Sequence, residues 1–379
     1  MNQPSELKIA WCAAALTSTH FSVRTAMPLL LSALAAAHRL SDSQLGDIGA
    51  CYSIGATLIA LSAPFWLRWS PLRAATTVFL LIGGSALAAA INCQSVAALM
   101  TVFTLSGLGF GGVYTLMIAL LAQSSNPSRA FAWQWGLGSA PGVLLLPVMP
   151  LLARPGGDKV PLFVLLLATN ALVALTAALL PKRASLTPPR AAVQRGATDT
   201  HRHLPVVLAL GAVMGAYLGI TGAWSFLDRV ALQAGLTPQY SGTVLAIAVA
   251  TSSVVALVTG EWGRIGARRV PMTLAFISVL AGLFLISYWP TPVGFAVGAT
   301  LFVTLATFVL TFSLSLVARL DITGHAAALP AAVLGMGSIV GPAMAGHVYQ
   351  ALGVHHMMIS CALSLMLAWV AYMSAYPTR

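Results

Sequence analysis

Residues Ile9 to Ala37 read IAWCAAALTSTHFSVRTAMPLLLSALAAA. A helix that crosses a bilayer needs about 20 mostly apolar residues. This run is long enough, yet it carries His20 and Arg24 near its middle. Arg24 lies 15 residues from Ile9 and 13 from Ala37, so it falls near the membrane midplane. An arginine there costs at least about 2.5–3.5 kcal/mol. Nothing in helix formation requires that cost. His20 and Arg24 are four apart and share one helix face. That face is expected to look into a wet cavity or a protein interior, not into lipid.

The composition agrees with a chain that lives in lipid. It is 58% hydrophobic and 7% charged, with a mean hydropathy of +0.88, against roughly 25% charged residues in soluble domains. Backbone groups in lipid must be satisfied within helices or closed barrels. Apolar runs of twenty or more argue against barrel strands, which alternate over about ten residues. The expected class is therefore an all-α integral membrane protein. The net charge of +11 sits in loops, so it reads as membrane topology and not as a nucleic-acid surface. The first apolar stretch is too long for a cleavable signal peptide and lacks a basic n-region. Cys12, Cys51, Cys93 and Cys361 are scattered and imply neither a disulfide framework nor a metal set.

Twelve spans are expected, at about 9–37, 45–66, 74–92, 95–123, 129–153, 160–180, 204–233, 241–261, 270–289, 292–319, 325–350 and 354–376. One connection is long and polar: residues 181–203, with five Lys/Arg. It divides the chain into an N-terminal six-helix bundle (1–180) and a C-terminal one (204–379). With the N-terminus in the cytoplasm, fourteen Lys/Arg fall inside and four outside (Arg39, Arg154, Lys159 and Arg229). The positive-inside rule then places both termini and the linker in the cytoplasm.

The halves repeat. Shifted by 196, residues 40–73 (LSDSQLGDIGACYSIGATLIALSAPFWLRWSPLR) overlay 236–269 (LTPQYSGTVLAIAVATSSVVALVTGEWGRIGARR) without a gap. Gly46 falls on Gly242, Arg68 on Arg264 and Arg73 on Arg269. Gly136-Leu-Gly138-Ser139 echoes Gly335-Met-Gly337-Ser338. Parallel repeats place a substrate site at their interface near the midplane. The whole chain resembles the major facilitator superfamily: six plus six spans, a basic middle linker, and basic turns after spans two and eight. Gly260-Glu261-Trp262-Gly263-Arg264-Ile265-Gly266-Ala267-Arg268-Arg269 is similar to that family's G-x-x-x-D-R-x-G-R-[RK] turn, with an altered acidic position. Pro64 to Arg73 keeps Arg68 and lacks the acid. Gly138-Ser-Ala-Pro141-Gly142 and Gly337-Ser-Ile-Val-Gly341-Pro342 look like the family's glycine-proline helix motif. The resemblance implies a monomeric, multi-pass transporter of two pseudo-symmetric bundles in a cell membrane, the bacterial inner membrane being the expected one.

Arg24 is the leading site residue. Its planar fork suits a carboxylate or phosphate; the structural alternative is a buried arginine holding carbonyls. Its equivalent in the second half is Ile220, so the charge belongs to one half only. His20 is a titrating or anion-completing group, or a satisfied core residue. Tyr114, Gln134, Trp135, Trp224, Thr307 and Thr311 are expected cavity lining, although aromatics and threonine stripes also glue helices. Asp228 and Arg229 form either a proton-binding acid with its neighbour or an outer gate pairing with Arg39, Asp42 or Asp47. Asp47 is expected to start the second span as a dipole-favoured acid. Arg68, Glu261 and Arg264 are candidates for cytoplasmic ion pairs. Asn170 reads as structural, and His355-His356 as an exposed pair and not a metal site.

The function expected is proton-coupled transport of a small organic anion by alternating access; the rival is an efflux pump for drugs or amphipathic metabolites. No nucleotide-binding signature or clustered catalytic set is present, so neither an ATPase nor an enzyme is expected, and no cofactor is called for.

Overall fold

The computed structural model describes residues 3–69, 71–123, 127–152, 159–180, 203–261, 269–320 and 329–376. Twelve α-helices make up nearly all of it: α1 (Gln3–His38), α2 (Asp42–Trp66), α3 (Leu72–Ala89), α4 (Val96–Leu121), α5 (Pro127–Leu152), α6 (Val160–Ala174), α7 (His203–Gln233), α8 (Pro238–Glu261), α9 (Arg269–Tyr288), α10 (Pro292–Leu320), α11 (Leu329–Leu352) and α12 (Val354–Ala375). Short 3-10 turns follow α2 and α6, at Leu67–Trp69 and Leu175–Leu179. No strand occurs among the described residues.

Among the described residues eleven helices are long and apolar enough to cross a membrane, and α1 is not one of them. The cause lies in its middle turns, where Thr17, Ser18, Thr19, His20, Ser22, Arg24 and Thr25 lower its hydropathy. Those hydroxyls turn back on their own helix: Thr17 donates to the Ala14 carbonyl and Thr19 to that of Leu16, both at 2.7 Å. Such back-bonding lets a polar helix sit among apolar ones.

Local sequence sets the ends. Ser41 caps α2 in a box with Gln44: Gln44 N donates to Ser41 Oγ, and Ser41 N to Gln44 Oε1 at 3.0 Å. The helix therefore starts at Asp42. Asp47 lies in its second turn, not at the start expected for it, because the capping box pulls the boundary upstream. Gly235 closes α7 with φ +79°. Its N–H reaches Leu232 O and that of Leu236 reaches Ala231 O, the paired bonds of a Schellman end.

We call the end where α6 finishes and α7 begins the linker face, and the opposite end the far face. The two most extensive cross-packings between α1–α6 and α7–α12 are α2 on α11 and α5 on α8, and α1 also meets α7. The first two rely on glycine, and the glycines are repeat equivalents. A Cβ on Gly46 would collide with Pro342 O of α11, and one on Gly242 with Leu146 O of α5. The repeat extends to single hydrogen bonds. Arg73 Nε donates to Leu180 O (2.9 Å) and Arg269 Nη2 to Tyr376 O (3.1 Å); both residues of the second pair lie 196 beyond those of the first. The outward faces are apolar, with Leu81, Leu144, Leu172, Leu179, Phe284 and Leu367 exposed, as lipid requires.

Lys159 fastens one corner of the far face. It is buried, and its ammonium donates to Ala90 O (3.0 Å) and Cys93 O (2.9 Å), just past the end of α3. His38 Nε2 lies 2.7 Å from the same nitrogen, and neutral His38 accepts there. Burial, and then the positive charge of Lys159, hold His38 below its ordinary 6.5. As pH falls, the unfolded chain takes up this proton before the folded one does. Stability from this corner is thus full above about pH 6.5 and declines below it. The melting temperature of the purified protein should fall between about pH 7.5 and about pH 5.5. His38→Gln, which keeps an acceptor and removes the titration, should lessen that fall; an unchanged slope would acquit this corner.

Candidate functional site

A cavity lies where α1, α2, α7 and α11 meet. It is lined by Arg24 and Met27 of α1, Gly49, Tyr52 and Ser53 of α2, Thr221, Trp224 and Ser225 of α7, and Ser338 and Pro342 of α11. The empty space there, open mouth included, is about 300 Å³. Each contributing helix supplies residues three or four apart: Arg24 and Met27, Gly49 and Ser53, Thr221 and Ser225, Ser338 and Pro342. That spacing puts them on one face of each helix.

Arg24 is the only charged residue in this lining among the described residues. Among the described residues its guanidinium makes no hydrogen bond and no ion pair. It lies over Tyr217, whose ring centre is 5.3 Å from Cζ. A cation over an aromatic face is stabilised by about 0.5–2 kcal/mol, well short of a carboxylate fork. The Arg24 carbonyl accepts from Trp224 Nε1 at 3.1 Å, so α7 touches α1 at the level of the charge.

His20 stands one turn below Arg24 and does not line the cavity. It is buried, sharing a 3.0 Å hydrogen bond between Nδ1 and Tyr52 Oη. Tyr114 stacks on its other side, with ring centres 5.0 Å apart. His20 and Tyr114 thus form a layer behind Tyr52. Trp135 is part exposed and packs on Phe21. Gln134 is fully buried, and neither atom of its amide has a partner among the described residues. Thr307 and Thr311 lie off this cavity. Thr307 pairs with Ser252 at 2.7 Å, as Thr304 does with Thr251; Thr311 donates back to Thr307 O. The stripe joins α10 to α8, because hydroxyl pairs hold helices together where lipid offers no partners.

Polar contacts between the two helix sets lie at the far face. Arg229 Nη2 of α7 meets Asp42 Oδ1 of α2 at 2.7 Å. His347 of α11 lies 3.3 Å from Asp47 of α2, and Ser43 N donates to Gln350 Oε1 at 3.1 Å. Gln239 of α8 donates to Pro147 O of α5. Every one of these joins α1–α6 to α7–α12. Asp228 is absent from the ion pair: it is 1% exposed and turned towards Ser32 and Ser241. Its Oδ1 has no hydrogen-bond partner among the described residues. At the linker face, Arg68 is exposed and lies over the Trp69 ring. Arg264 and the Glu261 side chain fall outside the described residues. Asn170 accepts from Ser22 at 3.2 Å, a packing role. His355 bonds Ser287, and no metal-ligating cluster occurs among the described residues.

Tyr52, Ser53, Tyr217, Thr221, Ser225 and Ser338 were not read from the sequence as site residues. The signal available for α7 was the stripe Tyr217, Thr221, Trp224, Ser225, at i, i+4, i+7 and i+8.

A membrane-spanning helical bundle with a charged cavity between two cross-packed helix sets has the architecture of a solute transporter. The chain belongs to the major facilitator superfamily, whose sequence profile matches residues 11–328; it is a transport protein and not an enzyme. Among curated proteins nothing matches it. Solved structures similar to it include the nucleoside transporter NupG, with TM-score 0.72 at 15% identity, covering 100% of this chain and 100% of that one. A bacterial homolog of the human lysosomal transporter Spinster, inward-facing and occupied, has TM-score 0.71 at 15% identity and coverage of 99% and 97%. The human organic anion transporter MFSD10 (TETRAN) has TM-score 0.67 at 17% identity and coverage of 98% and 100%.

Proposed function

We propose that the chain is a proton-coupled secondary transporter that moves a small organic anion of the carboxylate type across the bacterial inner membrane. The observation that carries this reading is Arg24, a cation without an ionic or hydrogen-bonding partner among the described residues, facing a cavity bounded by both helix sets. Among the described residues no acid lines that cavity. An anionic solute supplies the missing partner. Residues 1–180 and 204–379 act as two rocking bundles joined by the 181–203 linker, with both termini in the cytoplasm, so the far face is the outer one. The chain acts as a monomer.

In this scheme the contacts Arg229–Asp42, Asp47–His347 and Ser43–Gln350 form the outer gate. Asp228 acts as the coupling acid: it adjoins the gate arginine in sequence and sits between hydroxyls of α1 and α8. A proton there neutralises a carboxylate that is poorly paired inside the bundle. In proteoliposomes with a lumenal pH dye, adding a transported carboxylate outside should acidify the lumen. Binding of that carboxylate without acidification would contradict proton coupling. Asp228→Asn should abolish the acidification while anion exchange between the two sides continues; if exchange is lost along with coupling, Asp228 belongs to the gate.

A further inference from the structure

The cavity wall has an asymmetry of hydrogen-bonding character that bears on what the anion must look like. A serine or threonine hydroxyl has one hydrogen to donate and two lone pairs to accept with. In this wall the hydrogens are already committed. Thr221 donates to Tyr217 O at 2.8 Å and lies 3.1 Å from Gly337 O. Ser225 donates to Thr221 O and Ser338 to Gly335 O, each at 2.8 Å. Ser53 turns to Gly49 O at 3.4 Å. The Tyr52 hydroxyl is engaged with His20, at Nδ1 and at the carbonyl. The indole N–H of Trp224 is held by Arg24 O.

What these side chains still offer the cavity is lone pairs. Pro342 adds another acceptor. Having no N–H, it leaves the carbonyl four residues before it, that of Ser338, without its helical donor. The wall is therefore one strong cationic donor, Arg24, facing a set of acceptors on α2, α7 and α11. A ligand that fits it carries one anionic group and, around that group, hydrogens to donate.

We infer that the substrate is a small monocarboxylate bearing several hydroxyl groups, held by its carboxylate on Arg24 and by its hydroxyl hydrogens on Ser53, Ser225 and Ser338. The inference rests on the reading of Arg24 as an anion site and narrows it. A dicarboxylate of the same length brings a second acceptor-only group against lone pairs and is rejected. An alkyl carboxylate makes the Arg24 contact and leaves the other acceptors unmet. Hydrogen bonds that a hydroxylated ligand makes to these free lone pairs, and an alkyl chain cannot, are what gives such a site its discrimination.

Three six-carbon probes separate these cases: gluconate, hexanoate and adipate, each titrated against the full-length protein while its melting temperature is followed. Gluconate should bind at least about tenfold more tightly than hexanoate, the value of one to two neutral hydrogen bonds. Adipate should be weaker than gluconate by the same margin or more. In the paired variant Ser225→Ala/Ser338→Ala, gluconate affinity should fall towards the hexanoate value, whereas the unfolding temperature without ligand stays close to wild type. Equal binding of gluconate and hexanoate, both lost in Arg24→Ala, would overturn the hydroxyl-reading wall and leave the anion site standing. Preference for adipate would also overturn it. Failure of all three to bind, or binding that survives Arg24→Ala, would overturn the anion site itself and this inference with it.

Discussion

Arg24→Ala should abolish transport while leaving the protein folded, and it should change the melting temperature of the ligand-free protein little. The two halves of this expectation have different origins. Removing one member of a buried, hydrogen-bonded charge pair costs about 2–5 kcal/mol of binding, a loss of roughly 30-fold to several thousand-fold. That is the penalty for an anion that loses its arginine. The ligand-free protein is in the opposite position. Its arginine is only partly buried and lies over one aromatic face 5.3 Å away, so truncation forfeits a cation–π contact of about 0.5–1 kcal/mol. A structural arginine behaves otherwise, since breaking a paired buried charge costs about 3–5 kcal/mol of stability. Arg24→Lys should also fail, because a point charge on a flexible stem does not reproduce a planar fork. Uptake in proteoliposomes and a thermal melt without ligand, run together, check both halves. Preserved uptake contradicts the role; a melting temperature well below wild type returns Arg24 to structure.

The second large effect is expected at a residue that touches no ligand. Gly46→Val should hold the far face open. Gly46 lies where α2 meets α11, and a Cβ there runs into the Pro342 carbonyl and the Gly346 backbone. These are backbone atoms of the opposite helix set, so no side chain can swing aside. Overpacking of this kind costs about 1–3 kcal/mol. It acts only in states where α2 and α11 are closed on each other. A penalty of that size on one of two states shifts their ratio by roughly fivefold to 150-fold. Gly242→Val, at the equivalent contact of α8 with Leu146 O of α5, should act in the same direction. The check is labelling of Ser338→Cys by an impermeant maleimide from the far-face side, with the four native cysteines replaced. Labelling should rise and transport should fall. Unchanged labelling would mean that the α2–α11 crossing does not move.

Much of the fold was legible because lipid is a strict solvent. Long apolar runs, the basic linker and the 196-residue shift between halves gave the twelve helices. The repeat reached further than its sparse identity suggested: Arg73 and Arg269, read from the sequence as topology signals, make the same carbonyl contact in both halves. Arg24 was legible for an energetic reason, since a midplane charge needs an explanation. Ser53, Ser225 and Ser338 were not, because small hydroxylated residues also serve helix packing throughout a bundle and carry no signature of which face they occupy. The same ambiguity worked in reverse for Thr307, whose stripe suggested a cavity and which is paired with Ser252. For Asp228 and Arg229, adjacency in sequence suggested one shared role. A helix turns about 100° per residue, and the structure points them apart: Arg229 to Asp42 on α2, Asp228 to Ser32 and Ser241.

The most direct test is thermal stabilisation of the purified protein by small carboxylates, phosphate esters, sugars and cationic drugs, with wild type beside Arg24→Ala. One class, the carboxylates, should raise the melting temperature of wild type in a saturable way, and the rise should vanish in the variant. Stabilisation by cationic or neutral amphiphiles, equal in both proteins, would contradict this expectation and favour an efflux pump in which Arg24 is structural.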